Sequence, residues 1–92
     1  MTGPREVRRA VRIADPDGLH ARPSTRIARA AEAFRCRVVI VHDGREADAR
    51  SVLELLGLSV LRCGTVEIAA TGDDAEACVA ALAQILETVE LP

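Results

Sequence analysis

Apolar and polar positions along the chain change period several times, and each change marks an element. In residues 5–14, Val7, Val11 and Ile13 fall on one side of an extended segment and Arg8 and Arg12 on the other. That alternation predicts a strand with one buried face. Asp15-Pro16-Asp17-Gly18 are turn formers and should end it. From Ala21 to about Ala33 there is little β-branching, and Ile27, Ala30, Ala31 and Phe34 recur at helical spacing, which predicts a first helix. Residues 36–42 are β-branched, Asp43-Gly44 suits a two-residue hairpin turn, and residues 45–50 alternate with Ala47 and Ala49 on one side. Two hairpin strands are expected there.

Ser51-Val52-Leu53-Glu54 fits a capping box, in which Ser51 accepts from the N3 amide and Glu54 reaches back to the Ser51 amide. A short helix should run from there to about Leu58 or Leu61, with Leu55 and Leu58 in the core. After a turn at Cys63-Gly64, residues 65–71 read as a strand with Val66, Ile68 and Ala70 inward and Glu67 outward. Residues 73–89 open with acids suited to a helix start, and Cys78, Leu82, Ile85 and Val89 form the expected buried stripe. The order is βαββαβα. No strand is apolar throughout, so one sheet face should be open to water and the other covered by helices, an α+β two-layer sandwich. Residues 1–92 read as one domain, with loose ends at 1–4 and 90–92.

Composition narrows the partners. The only aromatic is Phe34 and the formal net charge is -2, so neither stacking platforms nor a basic field for nucleic acid is present. The charge is uneven, +4 over residues 1–50 and -6 over residues 51–92. No apolar run is long enough to span a bilayer and no signal-peptide core opens the chain, so a cytoplasmic protein that does not insert into membranes is expected. Cys36, Cys63 and Cys78 show no CxxC spacing and are expected as small buried side chains, without disulfide or zinc.

The chemistry concentrates at Asp17-Gly18-Leu19-His20-Ala21-Arg22-Pro23-Ser24. If a helix starts at His20 or Ala21, its first-turn amides lack internal acceptors and with the macrodipole form an anion site. Pro23 belongs in that first turn, and Arg22 adds a guanidinium fork suited to phosphate. The same positive field favours an uncharged, nucleophilic imidazole. The bland alternative is an exposed histidine serving as a poor helix cap. His42 stands by a hairpin turn among no spaced acids, so no metal site is expected, and no residue order marks a catalytic triad.

Three blocks, GLHARPS at 18–24, ADARSVLELLGL at 47–58 and GTVEIAATGDD at 64–74, resemble the HPr family of histidine-containing phosphocarriers of the bacterial sugar phosphotransferase system. The resemblance runs from about residue 5 to 90 and implies that family's open-faced βαββαβα sandwich, a four-stranded antiparallel sheet with three helices on one face. It implies a monomeric phosphoryl carrier with no cofactor and no turnover of its own. Enzyme I, charged from phosphoenolpyruvate, would phosphorylate His20 at Nδ1, and the A component of a sugar-specific enzyme II would receive the group. Arg22 would steady the phosphoryl group and Pro23 would shape the helix start. Val52, Leu53 and Leu56 match an apolar docking patch, with Arg26 and Arg29 supplying docking charges. Ser51 matches a regulatory serine, implying a serine kinase/phosphorylase and a transcriptional regulator as further partners, although its capping role already explains it. Lysine is absent, and Glu32 stands where many members are basic, which bears on partner choice. Two other readings stay open: a regulatory relay for nitrogen or carbon status, and a small-molecule-binding α+β module in which His20 is incidental.

Overall fold

The computed structural model describes residues 6–61 and 63–89. The loose ends expected at 1–4 and 90–92 lie outside the described residues, as do Arg5 and Arg62. The elements are β1 (Glu6–Arg12), α1 (Ala21–Ala31), β2 (Cys36–His42), β3 (Arg45–Asp48), α2 (Val52–Gly57), β4 (Thr65–Gly72) and α3 (Ala75–Glu87). The sheet order is β1-β4-β2-β3, every pair antiparallel. The βαββαβα order and the one-sided sheet are those expected from the sequence.

Register explains the two faces. Val11 pairs with Val66, Val7 with Ala70, Ile68 with Ile40 and Ala70 with Val38, so these side chains share one face beneath the helices. On the other face Arg8 bonds Glu6 at 2.8 Å and also pairs with Glu67. α3 lies against β1 and β4, and α1 packs on both α2 and α3. At the hairpin, Asp43 (φ 51) and Gly44 (φ 77) are both left-handed, the geometry of a two-residue turn whose twist matches the strands it joins.

Four local expectations are corrected. Glu54 does not close the capping box: Ser51 Oγ accepts the Glu54 N–H at 3.2 Å, but Glu54 Oε1 accepts the Asp48 N–H at 3.0 Å. The Ser51 amide is already spent on the Asp48 carbonyl at 2.9 Å, so the carboxylate is diverted one turn back. α2 stops at Gly57, because Ser59 takes a left-handed φ of 54. The buried stripe of α3 is Ala75, Cys78, Val79, Leu82, Ala83 and Leu86. Ile85 is only half-buried, and Val89 lies beyond the helix end in exposed chain. Of the cysteines, Cys78 is buried, Cys36 partly so, and Cys63 is exposed in the turn before β4, with a left-handed φ of 61.

Arg50 does what no pattern announced. Its guanidinium donates to the Ala31 and Phe34 carbonyls, each at 2.9 Å, and so caps the end of α1 from the β3–α2 connection. Helix ends leave carbonyls without intrahelical partners, and a charged donor fork satisfies two acceptors at once. Asp74 makes a second tie, accepting the Arg35 N–H at 2.8 Å from the start of α3. Arg50→Ala should lower unfolding stability by about 2–3 kcal/mol, since hydrogen bonds from charged groups are lost and carbonyls left part-buried. Urea denaturation measures this, and a loss within error would show that the bonds contribute nothing net.

Candidate functional site

The connection from β1 to α1 is held by the rest of the protein. Ile13 N–H donates to the Gly64 carbonyl at 2.8 Å, Ala14 N–H to Leu86 at 2.9 Å and Leu19 N–H to Val60 at 3.0 Å. Ile13 and Leu19 are buried on either side of the turn. The turn between them closes with Gly18 N–H on the Asp15 carbonyl at 3.0 Å, and Gly18 takes φ 72, a conformation in which a Cβ costs energy. His20 therefore projects from a fixed frame.

His20 is the N-cap of α1, extended at φ -88 and ψ -167, and its side chain caps nothing. Its carbonyl accepts the Ser24 N–H at 3.1 Å. Pro23 is buried in the first turn, where its lack of N–H leaves no intrahelical bond unmade. The ring is not the freely exposed group of the bland alternative. Its side chain is 34% exposed, and Nε2 stands 3.1 Å from Asp15 Oδ2. Nε2 is buried and has no aligned hydrogen-bond partner among the described residues. The two atoms are thus close without forming an aligned hydrogen bond.

Sequence reasoning missed Asp15, placing it only as a turn former. Its two oxygens divide the work: Oδ1 accepts the Asp17 N–H at 2.8 Å, and Oδ2 faces the imidazole. The Asp17 amide holds the Asp15 carboxyl below the usual carboxylate range, with His20 and Arg22 pulling the same way against partial burial. A carboxylate that accepts a backbone N–H two residues on is an Asx turn, and D-P-D-G contains that signal. That the second oxygen meets a histidine five residues away depends on the helix start. Possible metal-ligating atoms of Asp15, Asp17 and His20 lie within 4.8 Å of one another, a convergence the spacing of residues did not announce. Its Asp15 oxygens are engaged as described, and exposed acidic groups commonly cluster with no ion.

The remaining expected residues divide between two helices. Arg22, Arg26 and Arg29 stand at helical spacing along α1, with Arg22 and Arg29 exposed and Arg26 half-buried. Arg22 and Arg26 share a shallow cleft with Asp15, Pro23 and the end of α3. On α2, Leu55 is buried as expected and Leu58 is buried just after the helix, while Leu53 is 82% exposed, Leu56 37% exposed and Val52 half-buried. Leu61, just beyond that helix, is 77% exposed and was not anticipated. Ser51 is half-buried with Oγ engaged in the cap. Among the described residues no helix is long and apolar enough to cross a membrane.

The one-sided sandwich thus presents His20 and Arg22 at the start of its first helix. Residues 7–88 match the family model described as the PTS HPr component phosphorylation site. The chain is 38% identical over 84 residues to the phosphocarrier protein HPr of Haloferax volcanii, covering 89% of this chain and 94% of that protein. With the HPr of Buchnera aphidicola from Baizongia pistaciae it shares 32% over 82 residues, covering 89% and 96%. It also matches a multiphosphoryl transfer protein of Xanthomonas campestris, 36% identical over 77 residues that make up 9% of that longer chain. The crystal structure of a Bacillus anthracis HPr superposes with a TM-score of 0.84 at 28% identity, covering 88% of this chain and 96% of the other. The chain belongs to the HPr family and is a phosphocarrier of the phosphotransferase system.

The depressed carboxyl of Asp15 has a consequence for acid stability. Because its folded value lies below the ordinary 3.8, the ionised group adds stability above that pH, and the contribution disappears as pH falls through the lower folded value. Wild type should therefore exceed Asp15→Asn in denaturant midpoint at about pH 7, and the gap should close by about pH 2. An equal gap at both would mean that the charge of Asp15 is not what stabilises the turn.

Proposed function

We propose that His20 is the phosphoryl acceptor, through Nδ1, and that the protein relays the group from enzyme I to the A component of a sugar-specific enzyme II without turnover of its own. One observation carries the reading: Nε2 of His20 is buried against Asp15 at 3.1 Å, so the exposed third of the side chain leaves Nδ1 as the nitrogen able to meet a donor. A phosphoryl group on Nδ1 at a helix N-cap sits where first-turn amides and the macrodipole stabilise an anion. Arg22, exposed two residues on, adds a permanent positive charge within that turn.

Docking uses the neighbouring surface. Arg22, Arg26 and Arg29 give α1 a basic stripe suited to acidic partners, and Leu53 and Leu56 supply an apolar contact beside it on α2. Val52 borders that contact. Phosphorylation of Ser51 would place about two negative charges next to Leu53, and would act by repelling an acidic partner. The free thiols of Cys36, Cys63 and Cys78 suit a reducing compartment, and we place this unit in the cytoplasm as a monomer.

His20→Ala should abolish acid-labile labelling by enzyme I and phosphoenolpyruvate while retaining the wild-type circular dichroism spectrum. Undiminished labelling would falsify the assignment, and labelling that moved to His42 would mean the wrong histidine was chosen. Arg22→Ala should still be labelled but pass the group on more slowly, by at most about a hundredfold, the equivalent of one charge-assisted interaction. Leu53→Asp, at an exposed site, should leave the melting temperature nearly unchanged and weaken transfer from enzyme I, because the new charge is desolvated on docking without a partner. Normal transfer kinetics in that variant would remove α2 from the docking surface.

A further inference from the structure

We propose that Asp15 is a positioning residue for the phosphoryl acceptor, fixing the His20 tautomer with the proton on Nε2 and the lone pair on Nδ1. The proposal rests on His20 being the acceptor, but its first readout needs no phosphotransfer. An ionised carboxylate offers only acceptor sites, and Asp15 Oδ2 lies 3.1 Å from Nε2. Oδ1 is tied to the Asp17 N–H at 2.8 Å, so the carboxylate is not free to turn away. Its side chain is 16% exposed, and Nε2 is buried, so water does not readily replace either partner. Such a nitrogen is satisfied only by donating, and a neutral imidazole has one N–H to give. The Nδ1 lone pair is what remains.

The same contact serves the transfer itself. The Nδ1 lone pair attacks the donor's phosphorus, and the bond from phosphorus to the donor breaks with its electron pair returning to the donor. No proton leaves His20, so the ring keeps its Nε2–H and carries positive charge, which faces the Asp15 carboxylate. In onward transfer the phosphorus–Nδ1 bond breaks, its pair returns to Nδ1 and the neutral ring with Nε2–H is regenerated. A leaving group that departs neutral departs more easily, so the carboxylate assists both directions by keeping the proton in place. Carboxylate–histidine pairs that orient a functional imidazole work by this logic at other sites.

Asp15→Asn separates this role from the turn. The Asp17 N–H still requires an oxygen, which the Asn side chain supplies, leaving its NH2 group to face Nε2. Two donors cannot share that contact, so the ring should move its proton to Nδ1. Long-range proton–nitrogen NMR of the unphosphorylated protein, at a pH where the ring is neutral, should show Nε2 protonated in wild type and Nδ1 protonated in Asp15→Asn. Transfer from enzyme I should fall by about 10- to 100-fold. A wild-type ring protonated on Nδ1, or an unchanged tautomer in folded Asp15→Asn, would overturn the proposal. Should Asp15→Asn not fold, Asp15→Ala substitutes for it, and wild-type transfer rates in that variant would also overturn it. Failure of the acceptor assignment is read separately: His20→Ala would then be labelled normally, whichever tautomer the wild-type ring shows.

Discussion

The structure depends on burying small aliphatic side chains between one face of a sheet and three helices, with Phe34 as its only aromatic. No single large side chain can anchor such a layer, so its cohesion comes from many Val, Ile, Leu and Ala contacts at register-matched positions such as Val11 with Val66 and Ile40 with Ile68. One-sidedness follows, since the apolar residues suffice for one covered face and the other carries Arg8, Glu6 and Glu67. The helices are thereby collected on one side, with α1 packed on both α2 and α3.

That arrangement places the proposed acceptor, His20, between the end of β1 and the start of α1. Ile13 and Leu19 enter the core on either side of the 15–18 turn, and backbone bonds to Gly64, Leu86 and Val60 fasten the segment to three different parts of the chain. A histidine held so has little freedom to lose on meeting a partner, and preorganisation of this kind lowers the cost of aligning reacting atoms. Around it stand the start of α1, Arg22 two residues on and the Asp15 carboxylate, the groups on which our proposals for His20 rest. The exposed leucines of α2 sit on the helix that packs against α1, so the docking contact and the acceptor we propose lie on neighbouring helices.

Polar side chains carry the connections between elements. Arg50 closes the end of α1 from the far side of the hairpin, Asp74 joins the start of α3 to the start of β2, and Glu54 reaches past its own helix to the Asp48 amide. None of these bonds is local in the sense that motif rules describe, and each satisfies a backbone group that the fold would otherwise leave without a partner.

The sequence by itself determined the elements, their order and the one-sided sheet, because period-two and helical spacing are properties of neighbouring residues. It also determined the position of His20 at a helix start, since Gly18 permits the left-handed turn before it and Pro23 restricts the backbone of the first helical turn. The cap at Ser51 was legible in half: Ser51 and the Glu54 N–H are three residues apart, but the destination of the Glu54 carboxylate depends on where the hairpin brings Asp48. The stripe of α3 was displaced toward Val79, Ala83 and Leu86 because the sheet beneath, not the helix, chooses the face to bury. Cys63 and Leu61 read as core material, or as nothing, until the turn before β4 put them in solvent. Only the tertiary structure decided that Asp15 faces His20. A turn residue's free oxygen acquires a partner through the angle between the β1–α1 connection and the helix, and that angle is set by packing far along the chain, at Val60, Gly64 and Leu86.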